Sequence, residues 1–176
     1  MAAVKRVLAL AAMVVLVVGG ALIGPHLRFR VFRIPQAAMA PALPRGCRIV
    51  VHVTDDVRHG DIAAFRYPRD QRRLYVFRVV AEGGDVVELR NKRLLVNGRE
   101  QNEPYVVHSD AQVYPRDPAL EEPYRSRDQF GPYRVPADSF FVLGDNRDAA
   151  SDSRYWGTVP HDDILGRVVY VLRGTE

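Results

Sequence analysis

Gly144-Asp145-Asn146-Arg147-Asp148-Ala149-Ala150-Ser151-Asp152-Ser153-Arg154, followed by Tyr155-Trp156-Gly157, is the most distinctive run in the chain. Carboxylates at 145, 148 and 152 are interleaved with guanidinium groups at 147 and 154. That mixture predicts internal salt bridges rather than a metal cage, and the spacing fits no calcium loop. Trp156 reads as core packing or as a ring at a membrane interface.

Outward from this box the pattern is β. Ser139–Leu143 before it and Ile164–Leu172 after it are short runs rich in Val, Ile, Tyr and Phe. Upstream, residues 48–53, 61–65 and 74–81 are similar runs bounded by Gly, Pro and Asp. Residues 86–89 and 94–96 flank Arg90-Asn91-Lys92-Arg93 as a hairpin, and Asn97-Gly98 turns the chain again. Residues 28–33, with Phe29 and Val31 alternating against arginines, read as an edge strand. Between 102 and 136 the composition shifts to Pro, Tyr, Asp, Glu and Arg, with five prolines from Pro104 to Pro132. A long irregular excursion is expected there.

The N-terminus differs. Lys5-Arg6 closes a short cytoplasmic segment, 1–6, and an uncharged apolar run of eighteen residues, 7–24, follows. A spanning helix needs roughly 20 residues and tolerates about 17, so the run reads as a transmembrane anchor ahead of a β domain at 28–176. A cleavable leader is the rival reading, since Gly19-Gly20-Ala21 offers a small-x-small site. Arg28, Arg30 and Arg33 outnumber Lys5 and Arg6, so the charge bias does not favour an outside C-terminus.

The 176 residues, 47% hydrophobic, bound the chain to one modest domain or a small domain plus an anchor. The net charge of +4 is almost all arginine spread among acids, which argues against nucleic-acid binding. Cys47 is the only cysteine, so no internal disulfide exists.

Four blocks in order resemble the type I signal peptidases. Ile34-Pro35-Gln36-Ala37-Ala38-Met39-Ala40-Pro41-Ala42-Leu43 is similar to that family's I-P-S-x-S-M-x-P-T-L box. Gly60-Asp61-Ile62-Ala63-Ala64-Phe65 resembles its G-D-[IV]-[VI]-x-F strand. Leu74-Tyr75-Val76-Phe77-Arg78-Val79-Val80-Ala81, with Gly84-Asp85 after it, resembles its Y-[IV]-K-R-[VI]-[IV] box. The opening stretch, with Gly144, Asp145, Asn146, Arg147, Asp152, Ser153 and Arg154, completes the set.

The resemblance implies an antiparallel β hydrolase anchored in the plasma membrane by one helix, its domain extracytoplasmic and its groove close to the bilayer. It implies a serine that cuts after small-x-small motifs with a lysine as base. Such a serine must hand its proton to a nearby base. The lysine works only when neutral, in an apolar setting that lowers its pKa.

Position by position, the chemistry is gone. The nucleophile's place holds Ala38, the base's place Phe77, the base-orienting hydroxyl's place Ala150, and the oxyanion position Gln36. No serine precedes Ser109, so a register shift restores nothing. Lys5 precedes the anchor and Lys92 is expected at a hairpin tip, away from the groove. Cys47 is expected as a half-buried small side chain. Losing a catalytic serine or its base costs on the order of 10⁶ in rate in subtilisin. Ile34, Met39, Leu43, Tyr75 and Val76 fall where the family lines its groove.

The expectation is therefore a membrane protein that holds signal-peptide-like or pilin-like segments without cutting them, with membrane lipid and an active paralogue as further partners. The rival is an active peptidase with an unconventional nucleophile such as Cys47. Scattered His52, His59 and His161 give no metal-ligand spacing, and no metal or cofactor is expected.

Overall fold

In the computed structural model, which describes residues 28–121 and 123–172, alternating burial sets the strands. In chain order they are β1 (Phe29–Arg33), β2 (Arg48–His52), β3 (Ile62–Tyr67), β4 (Asp70–Glu82), β5 (Val86–Arg90), β6 (Arg93–Val96), β7 (Arg99–Glu100), β8 (Tyr124–Ser126), β9 (Gln129–Arg134) and β10 (Ser139–Leu143). A single helical turn, α1 (Ser153–Trp156), then β11 (Val159–Pro160), a 3-10 turn (His161–Asp163) and β12 (Ile164–Leu172) complete the order.

Two sheets result. One runs β1-β2-β12-β3-β4-β10-β11, the other β7-β6-β5-β9-β8, with antiparallel pairing throughout. Successive side chains of a strand point to opposite faces. Phe77 and Val79 of β4 and Phe140 and Val142 of β10 therefore enter one core, with Leu43, Ile49, Val51, Phe65 and Trp156. Their neighbours Val80, Ala81, Phe141 and Leu143 enter a second, with Val87, Leu89, Leu94 and Phe130. β4 and β10 thus join the two halves.

The hairpin expected at Arg90-Asn91-Lys92-Arg93 is present, with Asn91 at φ 51° and Lys92 at φ 70°. Such positive angles match the twist of a tight hairpin. The 102–136 stretch is less irregular than its composition implies, because β8 and β9 lie inside it. Gly131-Pro132 falls where the β5–β9 register shifts. Pro132 is exposed there, so the sheet tolerates a residue without an N–H.

The expected cytoplasmic segment and anchor, 1–24, lie outside the described residues. Among the described residues no helix is long and apolar enough to cross a membrane.

Candidate functional site

Gly144 ends the buried β10 run and brings three of the four replaced positions together. A Cβ on this residue would collide with the Ala150 Cβ, lie 2.7 Å from the Ala38 carbonyl oxygen and touch Phe77 Cε1 at 3.4 Å. The Asn146 amide also donates to the Ala38 carbonyl, 3.0 Å away. Ala38, Phe77 and Ala150 are all buried, so methyl groups and a phenyl ring close the point of convergence. Gln36, the fourth position, is exposed.

The Phe77 ring sits in an aromatic cluster. Its centroid lies 6.2 Å from Phe65, 6.0 Å from Tyr75 and 6.3 Å from Trp156. Trp156 is core, its indole N–H donating to the Ser151 carbonyl at 2.9 Å. An amine at position 77 would be strongly desolvated here; the ring fills the space with apolar surface.

Beside this point runs an apolar cleft of about 140 Å³. Of the five groove positions read from the sequence, Ile34, Met39, Tyr75 and Val76 line it, with Gln36 at its side and Ala38 and Ala64 among its walls. Leu43 does not line it. It is fully buried in the first core, its amide bonded to the Met39 carbonyl at 2.7 Å. Among the described residues, no strand pairs with the β4 edge beside the cleft. β10 pairs with β4 only from Arg78 onward, whereas β3 pairs with residues 74–77 from the other side.

An ion-paired clasp holds the site. Arg78 grips Asp145 with two bonds of 2.8 and 2.7 Å and donates to the Gly60 carbonyl at 2.8 Å. Within the box only Arg154 pairs as expected, with Asp152, at 2.8 and 2.9 Å. Asp152 also accepts the Gly144 amide at 3.1 Å, which fixes the glycine's position. Ser153 Oγ accepts the Val142 amide.

Arg147 instead reaches Glu103, at 2.6 and 3.0 Å. Asp148 takes Lys92 at 3.3 Å and the Asp110 amide at 2.9 Å. Lys92 is at a hairpin tip, as read, but its ammonium is buried and also donates to the Asp110 carbonyl at 2.6 Å. These partners lie far apart in sequence. Only Arg78, directly after the base position, carried a local signal.

Cys47 is buried, and burial pushes its thiol up from the ordinary value. A thiol so placed holds little thiolate at neutral pH. His52 packs at a tilt against Phe29, and His161 stacks on Phe140. Among the described residues no group of three His, Cys, Asp or Glu is placed to hold a metal.

Residues 3–172 match the family described as signal peptidase, peptidase S26. Signal peptidase I of Leptolyngbya laminosa is 34% identical over 148 residues, covering 77% of this chain and 64% of that protein. Signal peptidase I of Pseudomonas fluorescens is 33% identical over 180 residues, covering 80% of this chain and 63% of that protein. The chain thus spans just under two thirds of these two relatives. Signal peptidase IB of Staphylococcus aureus N315 is 29% identical over 171 residues, covering 93% and 84%. A crystal structure of a signal peptidase I from Enterococcus faecalis V583 matches with a TM-score of 0.50 and 28% identity, covering 65% of this chain and 97% of that one. With the mainly antiparallel fold and the four boxes in place, the chain belongs to the signal peptidase family, peptidase S26.

Proposed function

We propose that this family member holds an extended polypeptide segment, signal-peptide-like or pilin-like, without cleaving it. The observation that carries the reading is the closure around Gly144, where Ala38, Phe77 and Ala150 leave neither hydroxyl nor amine to form or activate a nucleophile. The binding half of the reading rests on the apolar cleft and on the edge of β4 at 74–77, which no described strand pairs on the side away from β3. An open strand edge beside side-chain pockets is the arrangement by which extended peptides add to sheets. The apolar run 7–24 supports a single-pass membrane anchor; a β domain outside, where an active paralogue would share its substrates, follows from the family reading and runs against the charge bias of Arg28, Arg30 and Arg33.

The test is incubation of the purified full chain in detergent with a preprotein carrying a small-x-small site. Association without processing is expected, and Cys47→Ala is expected to change neither. Processing that disappears in Cys47→Ala would overturn the reading in favour of a thiol enzyme.

A further inference from the structure

We propose that the cleft selects a bulky apolar side chain, leucine- or phenylalanine-sized, and that Ala64 is the residue that sets this size. The proposal rests on the peptide-holding reading and goes beyond it in naming the side chain held.

The first argument is volume. The cleft offers about 140 Å³ between mainly apolar walls, and an apolar cavity of roughly 150 Å³ accommodates a benzene ring. An alanine methyl would leave much of the apolar wall against water, whereas a larger side chain would cover it. The second argument is the wall itself. Ala64 stands opposite Val76 in the β3–β4 register, and both residues line the cleft. Ala64 is 2% exposed, and with Ala38 it supplies two of the smallest side chains there; each further carbon at 64 would take space from an occupant. The third argument is orientation. A peptide added along residues 74–77 would direct alternate side chains to one face, so one residue at a time can seat in the cleft. Among the described residues no carboxylate lines the cleft; Gln36 and Arg33 there are exposed, and Tyr75 is half-buried.

Leucine buries three more carbons than alanine, which predicts an affinity gain on the order of tenfold to a hundredfold. The experiment uses labelled decapeptides of serine and threonine with one central alanine, leucine or phenylalanine. Their binding to the full chain in detergent is followed by fluorescence anisotropy. Expected is binding of the leucine and phenylalanine peptides at least about tenfold tighter than the alanine peptide. Ala64→Val and Ala64→Leu should remove that preference in graded order, and the valine variant serves alone if the leucine variant does not fold. An alanine peptide that binds as tightly as the leucine peptide would overturn the size inference and leave the peptide-holding reading standing. A preference unaffected by Ala64→Val would overturn the assignment of Ala64. Failure of every peptide to bind would overturn both.

Discussion

Arg78 and Asp145, 67 residues apart in the chain, meet in a two-pronged ion pair with the Asp145 side chain 1% exposed and Arg78 13%. The pair ties β4 to the loop after β10 at the place where the two strands part. Breaking a buried pair from one side strands a charge, at a cost of about 3–5 kcal/mol. Asp145→Ala should therefore lower the unfolding free energy by about that amount in urea titration. Arg78→Met with Asp145→Leu should cost less than Asp145→Ala alone, because no charge is left behind. A double variant no more stable than the single would show that the Arg78 bond to the Gly60 carbonyl, and not the pair, holds the junction.

Asp148 predicts a pH dependence. Burial is the strongest single influence and opposes its ionisation, but the Asp110 amide, Lys92 and Arg127 together hold the carboxyl below its ordinary value. A carboxylate depressed on folding contributes stability above its unfolded pKa, about 3.9, and loses it as pH falls through the folded value. The melting temperature of the unaltered chain should exceed that of Asp148→Asn near pH 7, and the gap should narrow below about pH 4. A gap of constant size from pH 7 to pH 3 would rule this linkage out.

Most of the sheet was legible because its strands alternate locally; β2, β3, β5, β6, β10 and β12 each fall on a run readable from adjacent residues. β9 was not, because Gly131-Pro132 interrupts the alternation at the bulge that accommodates it. At the site, Ile34, Met39, Tyr75 and Val76 were readable from the family boxes. The partners of Lys92, Arg147 and Asp148 were not. Pairing across tens of residues leaves no local pattern, and composition near Arg147 points equally well to the box's own acids. Ala64 was passed over because a small residue inside a strand signals nothing until the facing wall is known.

Phe77 is expected to stabilise the fold relative to a lysine, the residue that the family resemblance implies at this position. At 2% exposure among Phe65, Tyr75 and Trp156, an amine would be held neutral by desolvation. Keeping it neutral at pH 7 costs up to about 4–5 kcal/mol relative to an ordinary lysine near 10.4. Phe77→Lys should lower the melting temperature at pH 7. A lysine depressed on folding destabilises most below its unfolded pKa, so the deficit should shrink as pH rises toward 10. An unchanged or higher melting temperature at pH 7 would contradict this account.

The convergence around Gly144 makes the proposed loss of chemistry separable from the scaffold. Ala38→Ser alone should leave preprotein cleavage at background, since Phe77 and Ala150, which meet Ala38 around Gly144, offer no base. Ala38→Ser, Phe77→Lys and Ala150→Ser together place a hydroxyl, an amine and an orienting hydroxyl about one glycine, and a positioned base contributes on the order of 10²–10⁴ in rate. Cleavage at a small-x-small site should then rise at least about a hundredfold over the Ala38→Ser chain. Substrates should carry either alanine or leucine at the seated position, and circular dichroism at low temperature should confirm the fold. Adding Gly144→Ala should abolish the gain, because its Cβ would lie 2.7 Å from the Ala38 carbonyl oxygen and displace the nucleophile's backbone. A folded triple variant with no gain on either substrate would show that the scaffold around Gly144, and not only its side chains, has departed from a cleaving geometry.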